Sequence, residues 1–351
     1  MKIMMAIPTW NRAPYLDKAI AAIAAAREQA GCEVTLFVSD NCSDDATAEV
    51  CAHWMAQNPW ITCHRWDTHV NVFEEVLRRL FTQAPKDYDY MWIQGDDDFI
   101  TDPTAFAQVA AAIAASPEPP ALVHACQTRR AVPGDDRILA GTLAELANEI
   151  GWLELLGWLS SLIVARATIE RTLLSDHWEA GRGSAFTHAE LLLEAAHDQP
   201  ALVLGAGLMD PQDEQQTQEC LERWKLENVG EKYWVVLPNL LRLQAKGVFA
   251  LPLSLTFFRY HTYSLWDRFA TEVMACAGIV AFKDEVLEIK LELLGHFANL
   301  LGRPEDRKIL ADWLDCFADE VWEVRRALRK VDGRIERCRR SVYSFKLLPP
   351  E

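Results

Sequence analysis

The segment Ile93–Phe99, IQGDDDF, sets three carboxylates in a row directly behind the apolar run Tyr90-Met91-Trp92-Ile93. Adjacent like charges repel, and burying them without compensation is costly. A solvated turn is one reading, because Gly and Asp are common turn residues. A cation or phosphate site is the other, because Mg and Mn favour carboxylate, phosphate and water oxygens. Side chains alternate in an extended segment, so Asp96 and Asp98 can work on one side while Asp97 faces elsewhere. Two more polar clusters interrupt apolar runs: Pro8–Arg12 (PTWNR) and Asp40–Asp45 (DNCSDD). A fourth, Thr187-His188-Ala189-Glu190, contains an imidazole and a carboxylate, either of which can take a proton from a hydroxyl.

The elements around these clusters suggest why they belong together. Strands are expected at Lys2–Ile7, Glu33–Ser39, Ile61–Arg65 and Tyr88–Ile93. Helices are expected at Pro14–Ala26, Ala46–Gln57 and Asn71–Thr82, the first with Leu16, Ile20 and Ile23 at helical spacing. Short strands alternating with helices imply a parallel α/β sheet, whose ligands lie beyond the carboxyl ends of the strands. The Pro8–Arg12, Asp40–Asp45 and Asp96–Asp98 clusters all follow strand ends, so they should converge on one crevice. Further along, the pattern predicts a helix at Asp102–Ala115, a strand at Ala121–Cys126 and a loop at Arg129–Asp136. It then predicts a helix at Leu143–Leu156, a strand at Leu159–Val164, helices at Ala167–Leu174 and Thr187–Ala196, and a strand at Ala201–Ala206. After about residue 212 long helical patterns dominate.

The chain has 351 residues, half of them apolar, enough for a full core. Its net charge of -16, from 51 acidic and 35 basic residues, disfavours a nucleic-acid binder. A nucleotide ligand needs only a local site and is compatible with that charge. The nine cysteines form no CxxC pair and no compact Cys/His metal spacing, a usage expected in a reducing, cytoplasmic compartment. The start, MKIMMAIPTW, reads as a strand and not as a signal peptide, and no stretch has the length of a membrane span.

IPTWNRAPYLDKAI, VSDNCSDDAT and WIQGDDDF, in this order and spacing, resemble the family 2 glycosyltransferases of the GT-A fold. SSLIVAR at Ser160–Arg166 and AFTHAELLL at Ala185–Leu193 resemble the abequosyltransferase-like subgroup. The likeness covers roughly Met1–Leu204. It implies a Rossmann-like, mainly parallel sheet flanked by helices, with a nucleotide half over 1–100 and an acceptor half over 101–211. Residues 212–351 form a separate helical C-terminal region in this reading.

The resemblance further implies inverting transfer from a nucleotide-sugar donor to a saccharide or lipid-linked acceptor, in surface polysaccharide or glycan synthesis. A divalent cation, Mg or Mn, is implied with it. Pro8, Thr9, Trp10, Asn11 and Arg12 would line the nucleotide, with Asp40 accepting from the base and Asn71 nearby. Asp96-Asp97-Asp98 stands at the DXD-type motif. Asp98 is expected on the metal, Asp96 on metal or ribose, and Asp97 in either a ligand or a structural role. The base is expected at Glu190 or His188, where the stretch departs from the family's usual Glu-Asp pair.

Two alternatives remain open at this stage. A sugar-1-phosphate nucleotidyltransferase would want a Gly-rich loop and a Lys near the first strand, which PTWNRAP lacks. A non-catalytic sugar-nucleotide-binding protein would draw support from the unusual THAE stretch. Near the C-terminus, Arg325, Arg326, Arg329, Lys330, Arg334, Arg337, Arg339 and Arg340 alternate with aromatic and apolar residues. Such a segment suits peripheral contact with anionic lipid at the inner membrane face, or a contact between subunits of a homo-oligomer.

Overall fold

The computed structural model describes residues 1–211 apart from 129–136, 151 and 181–185, together with the single position 243. The helical region and basic segment expected over 212–351 lie outside the described residues, as does the loop expected at 129–136.

The chain is α/β. Strand β1 (Lys2–Thr9) leads into helix α1 (Ala13–Arg27), and β2 (Glu33–Asp40) into α2 (Thr47–Gln57). Then come β3 (Ile61–Arg65), α3 (Phe73–Gln83) and β4 (Tyr90–Ile93). The α1 helix forms where Pro14 supplies a preset φ in the first turn. Its buried residues Ala13, Leu16, Ala19, Ile20, Ile23 and Ala26 recur every three or four positions, making one face that packs on the sheet. Each fully buried Leu or Ile on that face contributes about 2 kcal/mol of apolar burial. Helix α3 begins two residues later than the periodicity suggests, leaving Asn71 in the preceding loop.

The second part is more mixed. It comprises β5 (Asp98–Ile100), α4 (Ala105–Ala115), β6 (Leu122–Gln127), β7 (Ile138–Thr142), α5 (Leu143–Ile150) and α6 (Trp152–Leu156). A 3-10 turn at Leu159–Ser161 precedes β8 (Leu162–Ala165), α7 (Arg166–Leu173), α8 (His177–Ala180), α9 (Thr187–Ala196) and β9 (Pro200–Pro211). The strand expected at 159–164 thus begins as a turn, with Ser161 Oγ donating to Trp158 O at 2.7 Å. The helix expected at 143–156 is divided into α5 and α6.

All nine strands among the described residues join one sheet in the order β3-β2-β1-β4-β8-β6-β9-β5, with β7 also on β9. Following the pairings, β1, β2, β3, β4, β6 and β9 point one way, and β5, β7 and β8 the other. The parallel register sets Thr9 beside Asp40 and Ala6 beside Ile93. The loops after β1, β2 and β4 therefore leave the sheet at the same edge. Among the described residues no helix is long and apolar enough to cross a membrane.

Candidate active site

The three strand-end clusters meet, and the contacts that join them are specific. Thr9 Oγ1 donates to Asp96 Oδ2 at 2.6 Å, the backbone N–H of Trp10 also donates to Asp96, and Arg12 reaches Asp96 Oδ1 at 3.3 Å. The Arg12 guanidinium also pairs with Asp97. From the second loop, Ser43 Oγ accepts the Asn11 N–H at 2.9 Å, and Asn11 Oδ1 accepts the Asp44 N–H at 2.8 Å.

Asp98 is held from the other side. Ser160 Oγ donates to Asp98 and accepts the Gly95 N–H at 2.8 Å, while the Trp158 side chain also bonds Asp98. Gln94 is wholly buried, and its Nε2 donates to the Asp98 carbonyl at 2.9 Å, closing the turn. Gly95 is required by close approach: a Cβ there would stand 2.9 Å from Asp97 Oδ1 and 3.0 Å from Asp98 Oδ2. Ser160 and Gln94 lie within motifs noted in the sequence, SSLIVAR and IQGDDDF, without having been named there as site residues.

Electrostatics reflect the crowding. Burial, with Asp97 adding to it against the pull of Arg12 and Thr9, raises the Asp96 pKa to about 6. Asp98 is raised to about 7 by burial and by the charges of Asp97 and Asp96. These are carboxylates short of positive charge. A divalent cation fits this donor set, because it would supply the missing charge to hard oxygen ligands. Among the described residues no group of three or more His, Cys, Asp and Glu is arranged to hold a metal ion unaided. Waters and diphosphate oxygens would have to complete the shell, as is usual for Mg.

Asp40 is buried at the end of β2, where its Oδ1 accepts the Ser43 N–H at 2.9 Å and its Oδ2 lies 3.7 Å from Arg65 Nε. Trp10, 47% exposed, stacks on His69 with centroids 4.1 Å apart. His69 in turn bonds Asn71. The Pro8–Arg12 loop, Asp40, Asn71 and the acidic triplet thus belong to connected loops at one sheet edge.

The proton-acceptor candidates sit on α9, in a different environment. Glu190 is fully enclosed and its Oε2 lies 2.6 Å from Nε2 of His177, itself fully buried on α8. Nothing in the sequence pattern pointed to His177. His188 is 3% exposed, and its Nε2 lies 2.9 Å from the Leu156 carbonyl. Only an Nε2–H tautomer can make that bond, which leaves Nδ1 as an acceptor without a hydrogen-bond partner among the described residues. Burial lowers the His188 pKa to about 4, so the ring is neutral near pH 7. The backbone it grips runs two residues later into Trp158, which bonds Asp98. Thr187 Oγ1 donates to Glu74 at 3.0 Å, tying α9 to α3. Trp152 is a core residue, packed edge-on against Phe186.

Comparison with known proteins agrees with this architecture. Residues 5–177 match the sequence profile of the family described as Glycosyl transferase family 2. No curated protein sequence matches the chain. The fold is similar to the crystal structure of S. aureus TarS 1-349 in complex with UDP, with a TM-score of 0.62 at 15% identity. That likeness covers 97% of this chain and 92% of the other. TarS 1-349 in complex with UDP-GlcNAc gives a TM-score of 0.60 at 15% identity, covering 98% and 93% of the two chains.

Proposed function

Given that residues 5–177 belong to glycosyl transferase family 2, which makes the protein a glycosyltransferase, we propose inverting transfer from a nucleotide-sugar donor to an acceptor hydroxyl. The carrying observation is the convergence of the Thr9–Arg12 loop and the Asp96–Asp98 triplet on one sheet edge, beside Asp40. In this reading Pro8, Thr9, Trp10, Asn11 and Asn71 border the nucleotide. Asp40 accepts from the base, and Trp10 offers its exposed face beside it. Asp98 and Asp96 hold a divalent cation, Mg or Mn. When bound there, such a cation would supply positive charge to the departing diphosphate. Asp97, engaged by Arg12, orients the loop.

The acceptor hydroxyl must lose a proton as it attacks the anomeric carbon. His188 Nδ1 suits that task better than Glu190. Its lone pair has no hydrogen-bond partner among the described residues, whereas Glu190 Oε2, equally buried, is bonded to His177 Nε2. The His177–Glu190 pair then fixes the α9 position from behind. Trp158 and the Leu156 carbonyl link this acceptor side to Asp98. The acceptor class is a saccharide or lipid-linked saccharide of surface polysaccharide or glycan synthesis. This rests on the sequence resemblance, whereas the peripheral membrane contact and self-association rest on the basic segment Arg325–Arg340.

The test is a mass-resolved screen of UDP-, GDP-, CDP- and dTDP-sugars with the full chain, with and without Mn. Retention of one nucleotide class, dependent on Mn and lost in Asp98→Ala, supports the reading. Metal-independent retention, or none for any class, would overturn it.

A further inference from the structure

Asn11 has a φ of 54°, in the left-handed region that non-glycine residues seldom occupy. Its conformation is pinned by the loop after β2, through Ser43 Oγ on its N–H and the Asp44 N–H on its side chain. The reversal turns the next residue, Arg12, inward against Asp97 and toward Asp96. A flexible surface cation would need no such pinned turn. This guanidinium is delivered to the acidic triplet by the same backbone that starts α1.

We propose that Arg12 is an exchangeable counter-cation. In the ligand-free protein it neutralises Asp96 and Asp97; when a nucleoside diphosphate arrives with its divalent cation, the guanidinium moves onto a diphosphate oxygen and releases Asp96. The inference deepens the donor-site reading and rests on it. The logic is electrostatic. A free divalent cation approaching the triplet meets a like charge already seated there, so it binds weakly alone. A diphosphate satisfies both cations at once, because its oxygens accept charge-assisted hydrogen bonds from the guanidinium and also ligate the metal. Metal affinity and diphosphate affinity should therefore respond to Arg12 in opposite directions.

The experiment is a Mn titration of the full chain, read from the EPR signal of free Mn, alone and with UDP, GDP, CDP or dTDP. Nucleotide affinity is measured separately at saturating Mn. For Arg12→Gln, Mn alone should bind about tenfold more tightly, since a nearby positive charge is gone. The best nucleoside diphosphate should bind about tenfold more weakly, since a charge-assisted contact is gone. Arg12→Lys, which keeps the charge but not the planar fork, should match the parent on Mn alone and lose part of the diphosphate affinity. Both affinities unchanged in Arg12→Gln, or both shifted in the same direction, would overturn the exchange while leaving the donor site standing. If parent and variants take up Mn with none of the four nucleotides, the donor-site reading fails and the inference falls with it. If circular dichroism shows Arg12→Gln to be unfolded, Arg12→Lys decides: unchanged diphosphate affinity overturns the proposal.

Discussion

The proposed nucleotide half, residues 1–100, and the proposed acceptor half, residues 101–211, place their candidate site residues by different means. In the first, β1, β2 and β4 are parallel, so their carboxyl ends lie at one sheet edge. Thr9 and Asp40 are the last residues of β1 and β2, and Asp96 follows closely after β4. In the second, β8 runs antiparallel to its neighbours β4 and β6. Ser160 comes from a 3-10 turn, His177 from a helix of four residues and His188 from the first turn of α9. Parallel crossovers bring every loop of one kind to one side, whereas the acceptor half depends on packing between helices. A polar residue after a strand is thus interpretable from the chain alone, and one on a packed helix is not.

The largest expected effect breaks the nucleotide half alone. Asp98→Ala should abolish transfer while leaving the circular dichroism spectrum and Tm close to the parent's, because it removes one of three mutually repelling carboxylates. Near-parent turnover with Mn would overturn the proposal that Asp98 holds a cation. In the acceptor half, His188→Asn should cut single-turnover transfer about a hundred- to a thousandfold at saturating donor, without changing donor affinity. Glu190→Gln should instead lower Tm and cost far less in rate, since it disturbs a buried hydrogen-bonded pair whose other member stays enclosed. The reverse ranking of rates would make Glu190 the base.

The two halves also differ in how pH acts on them. His188 has a folded pKa of about 4, below the ordinary 6.5, so the unfolded chain binds this proton more readily. Its contribution to stability is complete above about pH 6.5 and is lost as pH falls toward 4, a difference of about 3 kcal/mol. Denaturant titrations at several pH values should show His188→Asn losing about that much less than the parent over this window. Equal acid sensitivity would place the proton elsewhere. The smallest effect sharpens the nucleotide side. Gly95→Ala should push the Asp97 and Asp98 carboxylates apart and weaken Mn–nucleotide binding about tenfold, with little loss of Tm, because the displaced atoms are side-chain ends. Parent-like binding would show that the carboxylates shift without consequence.

What the sequence by itself determined is the nucleotide half. Apolar runs of four to eight residues alternating with helical periods led to β1–β4 and α1–α3 within about two residues at each boundary. The polar breaks after those strands then located Thr9, Asp40 and Asp96–Asp98 at one edge, because a parallel α/β sheet leaves them nowhere else to go. The THAE stretch was visible only as a pair of proton acceptors. Tertiary structure decided that Glu190 faces His177, that His188 turns one nitrogen to Leu156, and that Ser160, Trp158 and Gln94 brace the acidic turn. The three-residue β5 and the four-residue α8 carry too few residues for a period to register. Contacts such as Thr187 to Glu74, 113 residues apart, depend on how helices pack, which local pattern does not encode.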